Sequence, residues 1–159
     1  MATIPSQVKD IVTFVFVRRN QTDLTPNGTA FFVGVKSEQD PKRLFGYLVT
    51  AKHVLQDRSE SYYPSVFIRL NNRSGGSNMI ELPLKGQNAV PIHVHADPQV
   101  DIAVLPILPD TSIHDFKVLP EEMLITREGF REANIREGDE VFFTGLFTGF
   151  LEATETIPL

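Results

Sequence analysis

Between residues 11 and 51 the chain alternates short apolar runs with polar turns, and that rhythm constrains the fold more than any other feature. Ile11 to Arg18 (IVTFVFVR), Thr29 to Lys36 (TAFFVGVK) and Phe45 to Ala51 (FGYLVTA) are strand length and rich in β-branched and aromatic residues, which pack well on a pleated surface. Pro26-Asn27-Gly28 reads as a turn in the first connection, and the charged stretch Ser37 to Arg43 closes the second. A meander of three strands follows. Lys52 to Arg58 has room for one or two helical turns, after which Ser65 to Asn71 (SVFIRLN) and Met79 to Leu84 (MIELPL) flank the Gly-rich turn Ser74 to Asn78 as a hairpin. Val90 to His95 and Asp101 to Leu108 add two more strands. About seven short strands at hairpin or short-loop spacing predict an all-β antiparallel sandwich or closed barrel rather than βαβ units, and the barrel is the expected architecture.

The character of the sequence changes after Pro109. Residues 111–137 are expected to be a connector, with room for a short helix over Glu121 to Thr126. Gly138-Asp139-Glu140 then leads into Val141 to Phe147 (VFFTGLF), an aromatic strand with few residues after it to pair with. The organisation expected is one barrel over residues 8–110, the connector, and the opening of a truncated second barrel over residues 138–159. A length of 159 residues fits one ordinary domain and is short for two.

Composition narrows the function classes. Fifteen basic against twenty acidic residues give a net charge of −5, with no run of Lys and Arg, so no nucleic-acid partner is expected. There is no cysteine, which removes disulfides and thiolate chemistry. The opening MATIPSQVKDIV lacks a basic segment followed by an apolar one, and no apolar stretch approaches membrane-spanning length. A cytoplasmic protein, or one whose leader has been removed, fits these facts, with no membrane partner expected.

Two residues invite a chemical reading. His53 follows the third apolar run in GYLVTAKHVL, and Asp101 opens the otherwise apolar DIAVLPIL. Alone, each has an ordinary explanation: a histidine at a helix start, and an aspartate capping a turn. Together they have another, because one rim of a compact barrel can bring them into contact. A carboxylate that accepts the imidazole Nδ1–H fixes the tautomer and stabilises the imidazolium formed when Nε2 takes a proton. That supplies two members of a serine-hydrolase triad.

GTAFFVGV at Gly28 to Val35, the Thr-Ala-x-His core at Thr50 to His53, DIAVL at Asp101 to Leu105 and IREGDEVFFTG at Ile135 to Gly145 occur in an order that resembles the trypsin-like serine peptidases. The likeness is greatest to their cysteine-free bacterial, HtrA-type branch, and it runs from about residue 10 to residue 150. The resemblance implies a first six-stranded Greek-key barrel and the opening strand of a second, with His53 as general base and Asp101 as its orienting carboxylate. It also implies a polypeptide substrate. The family's nucleophile lies in a Gly-x-Ser-Gly-Gly segment of the second barrel, and nothing after Leu105 supplies one. The family's oxyanion hole and specificity pocket belong to that same half.

Other candidates have simpler explanations. Ser74-Gly75-Gly76 mimics the nucleophile segment, but it precedes Asp101 and sits in a predicted hairpin turn, where Gly-Gly needs only the positive φ of the turn. His93 and His95 share a strand face with Asp97 two residues on, yet zinc wants three or four ligands and no further cluster offers them. His114 beside Asp115 reads as a polar loop residue, and Glu121-Glu122 suits a helix start. Phe14, Phe16, Phe31 and Phe32 fall in predicted strands and are expected to pack.

The sequence therefore predicts the N-terminal part of a trypsin-like serine endopeptidase, inactive as these 159 residues alone, with no metal or organic cofactor implied. The alternative is a non-catalytic barrel that serves as a binding or scaffolding module, self-associating through an exposed strand over Val141 to Phe147.

Overall fold

The computed structural model describes residues 6–20 and 22–141. Among the described residues nine strands form a single sheet: β1 (Val12–Arg18), β2 (Leu24–Lys36), β3 (Leu44–Thr50), β4 (Ser65–Asn72), β5 (Ser77–Pro83), β6 (His93–Val94), β7 (Ala103–Pro106), β8 (His114–Asp115) and β9 (Leu119–Pro120). The hydrogen-bonded order is β5-β4-β1-β2-β3-β7-β6, with β8 added to β4 and β9 to β2. Every pairing is antiparallel except β2 with β9. The chain is mostly antiparallel β-sheet, and α1 (Arg127–Glu132) is its one α-helix among the described residues. The path is open, with β5 and β6 at its ends, and residues 84–92 connect those ends directly. There Val90 N–H donates to the Pro83 carbonyl at 2.8 Å.

One face of the sheet makes the core. Phe32, Leu48, Leu55, Ile68 and Leu105 are each at most 1% exposed, and each contributes on the order of 1.5–3 kcal/mol by leaving water. Phe16 and Phe32 are buried, Phe14 and Phe31 half-buried. Phe116 packs its ring 4.8 Å from Phe32. Thr13 and Thr50 are buried polar residues whose hydroxyls donate to the Arg69 carbonyl at 2.7 Å and the Thr29 carbonyl at 2.8 Å, which removes the penalty of an unmet donor.

Several expectations need correction. Pro26-Asn27-Gly28 is not a turn but lies inside β2, which starts at Leu24. Val15 pairs with Gly28 and Phe16 with Pro26, leaving Asn27 as the extra residue of a β-bulge. Val90 to His95 forms a ladder only over His93–Val94, since Pro91 has no N–H to give. The helix read over Glu121 to Thr126 is displaced. Glu121–Met123 is a 3₁₀ turn, and α1 starts one residue after Thr126, whose hydroxyl accepts from Gly129 N–H at 3.1 Å as an N-cap.

Within the stretch read as a connector, β8 and β9 hydrogen-bond into the sheet, and Phe116 between them belongs to the core cluster. His114 is therefore not a polar loop residue. It is 7% exposed, opposite Asn72 in the β4–β8 ladder. Glu121 and Glu122 serve the end of β2: Glu121 accepts from Lys36 N–H at 3.2 Å and Glu122 pairs with Lys36 Nζ at 2.8 Å. The expected strand Val141 to Phe147, beyond Val141 itself, lies outside the described residues, as does most of the stretch read as a second barrel. Among the described residues no helix is long and apolar enough to cross a membrane.

Candidate active site

Strand directions decide what can meet. β1 and β3 run one way, while β4 and β7 run the other, because β1 is antiparallel to β2 and β4, and β3 is antiparallel to β2 and β7. The chain leaves β3 toward His53 at one end of the sheet and enters β7 from Asp101 at that same end. It leaves β4 toward Ser74 at the opposite end. The Ser-Gly-Gly decoy is thereby kept from His53 by topology, and its glycines take the φ values of +94° and +73° that the hairpin turn requires.

His53 is placed by its neighbours. Lys52–Leu55 is a 3₁₀ turn in which Val54 and Leu55 are buried and His53 is exposed, so two apolar side chains anchor the turn and push the imidazole outward. The β2 bulge grips the same turn twice. Asn27 Nδ2 donates to the Val54 carbonyl at 2.8 Å, and Gly28 lets Val54 come so close that a Cβ there would lie 2.6 Å from Val54 Cγ2. On the far side Lys52 Nζ donates to the Pro98 carbonyl at 2.9 Å, tying the turn to the loop before Asp101.

Asp101 holds His53 with both carboxylate oxygens. Oδ2 takes the ring Nδ1 at 2.5 Å, and Oδ1 accepts from His53 backbone N–H at 3.0 Å. A carboxylate only accepts, so the proton sits on Nδ1 and Nε2 is left as the basic nitrogen. These contacts, the ring hydrogen bond first and the backbone N–H second, hold the Asp101 carboxyl below the usual carboxylate range. The carboxylate thus stays charged and orients the ring. The imidazole side chain is 72% exposed, and among the described residues Nε2 has no hydrogen-bond partner.

The pair lines a cleft of about 400 Å³ whose other walls are Lys52, Gln56, Asp57, Glu60 and Pro98. What this arrangement can do is take a proton at Nε2 from a nucleophile brought to it and stabilise the resulting imidazolium. Sequence reasoning named both residues of the pair. It missed Asn27 and Gly28 as their support, because Pro26-Asn27-Gly28 reads as a turn and its neighbours Thr25 and Thr29 give no sign of a continuing strand.

The remaining candidates are elsewhere. His93 and His95 are exposed; His95 Nδ1 accepts from Asp97 N–H at 3.0 Å, and Asp97 accepts from Gln99 N–H at 2.9 Å, so both are engaged in the loop's own turn. No group of three or more metal-ligating side chains occurs among the described residues. No family model matches the chain, and no curated protein or solved structure matches it either.

Proposed function

We propose that the chain is the N-terminal part of a trypsin-like serine endopeptidase, with His53 as general base and acid and Asp101 as the residue that orients it. The observation that carries this reading is the double grip of Asp101 on His53, ring Nδ1 and backbone N–H together, made at one end of the sheet by residues from two different connections. The strand path supports the finer fold reading, a six-stranded Greek-key barrel. The two ends of the path, β5 and β6, are consecutive in the chain, and in the connection between them Val90 N–H bonds back to the Pro83 carbonyl at the end of β5. In the reaction, Nε2 takes the proton of a serine hydroxyl as it attacks the peptide carbonyl, then returns it to the leaving amine as the acyl-enzyme forms. Water repeats the cycle to release the acid.

The nucleophile comes from beyond Leu159 in this reading, so the 159-residue chain is expected to leave casein intact. The full product of the reading frame is expected to cleave casein, and to lose cleavage in His53→Ala with its fold kept. Cleavage by the 159-residue chain, or a full product that neither carries a serine nucleophile nor needs His53, would replace the peptidase with the binding module.

A further inference from the structure

The loop after His53 has a second face. It is a fixed loop: Asp57 Oδ1 accepts from Ser59 N–H at 2.8 Å, Ser59 Oγ–H at 2.6 Å and Ser61 N–H at 3.1 Å, and Gln56 Nε2 donates to the Glu60 carbonyl at 3.0 Å. Tyr63 N–H closes it by donating to the Leu55 carbonyl at 3.0 Å. One side of this loop walls the His53 cleft with Asp57 and Glu60. The other side, with Arg58, Ser59 and Tyr63, meets Arg19 from the end of β1 across an open depression of about 470 Å³, and Asp57 is shared by both.

The charges in the depression do not cancel. Arg18 lies 4.9 Å over the Phe67 ring, but the Arg19 and Arg58 guanidinium groups form no hydrogen bond or ion pair among the described residues. Asp57, the one carboxylate present, has Oδ1 taken up by Ser59 and Ser61, and those hydrogen bonds, the Ser59 hydroxyl first, keep its carboxyl below the usual range. Two cations therefore face one engaged anion, in a chain whose net charge is −5. Each guanidinium offers a planar fork of N–H donors matched to the two oxygens of a carboxylate.

We infer that Arg19 and Arg58, with Tyr63, form a carboxylate-binding subsite for a peptide lying across the His53 cleft. This rests on the peptidase reading: one residue, Asp57, lines both hollows, so the depression adjoins the cleft in which a peptide would meet His53. The carboxylate is that of an Asp or Glu side chain or of the peptide's own C-terminus.

The test is an NMR titration of the 159-residue chain, reading the Nε–H signals of Arg19 and Arg58, with three blocked alanine peptides. One ends in glutamate amide, one in glutamine amide, and one in a free carboxylate. Binding of the glutamate or the free-carboxylate peptide about tenfold tighter than the glutamine peptide, weakened by salt and lost in Arg19→Gln/Arg58→Gln, supports the subsite. Whichever of the two binds more tightly identifies the source of the carboxylate. Equal binding of all three, or a carboxylate preference unchanged in the double variant, overturns it. Both side chains are exposed, so the double variant is expected to keep the thermal midpoint of the parent. Loss of the subsite leaves His53-dependent cleavage by the full product standing, and failure of that cleavage leaves the arginine-dependent binding standing, so the two ideas fail separately.

Discussion

Gly28→Ala is the substitution that most sharply tests how the sheet positions His53. The added Cβ would stand 2.6 Å from Val54 Cγ2, 2.8 Å from Cγ1 and 3.3 Å from Cβ, where ordinary contact between carbons is about 3.5–4.0 Å. Val54 is 4% exposed and β-branched, so it has neither room nor a rotamer by which to withdraw. The 3₁₀ turn must move instead, against the Asn27–Val54 hydrogen bond at 2.8 Å. Overpacking of this kind costs about 1–3 kcal/mol. Val54→Ala alone removes two buried methyls, a loss of about 1.6 kcal/mol plus a cavity term. In the double variant the new methyl enters the space the old ones left, so the combined loss is expected to fall short of the sum by about 1–2 kcal/mol. Urea unfolding of the four proteins gives the cycle. A Gly28→Ala cost below about 0.5 kcal/mol, or strict additivity with Val54→Ala, would refute the idea that the bulge and the histidine turn are held by this contact.

Three further outcomes follow from the same structure. Asp101 titrates below the usual carboxylate range chiefly through the His53 ring, so His53→Ala should raise its midpoint, read by ¹³C NMR of the carboxyl carbon; an unchanged midpoint contradicts the pairing. The stability tied to that lowered value is present above about pH 4 and is lost as pH falls through the folded-state value, so urea midpoints of the parent should decline more steeply in acid than those of His53→Ala. Phe116→Ala should cost about 3–5 kcal/mol, because the ring is 7% exposed against Phe32; a loss under about 1 kcal/mol would show that residues 114–120 are only loosely attached to the sheet.

The strands that were legible in the sequence are those with uninterrupted runs rich in β-branched and aromatic residues. β1, β3 and β4 lie within a residue of where IVTFVFVR, FGYLVTA and SVFIRLN place them. The N-terminal half of β2 was hidden because Pro-Asn-Gly has two physical uses, a tight turn or a bulge beside a close backbone approach, and only the packed Val54 tells them apart. β8 and β9 hold two residues each, below the length at which a period of two carries information, so His114 and Phe116 gave no sign of burial. His53 and Asp101 were legible as a pair because one follows an apolar run and the other opens one, so that a barrel rim can bring them together, and the order of the surrounding segments suggested their roles. Arg19 and Arg58 come from separate connections with ordinary surface composition, and nothing in their local sequence says that they share a hollow.

The central claim is that His53 serves a serine nucleophile under the direction of Asp101. The most direct measurement is labelling of the full reading-frame product with a fluorophosphonate, followed by mapping of the modified residue. The expected result is one labelled serine C-terminal to Leu159, with labelling abolished in His53→Ala and slowed by up to about 10⁴-fold in Asp101→Asn. Labelling that is absent, or that proceeds at the parent rate in both variants, would contradict the account.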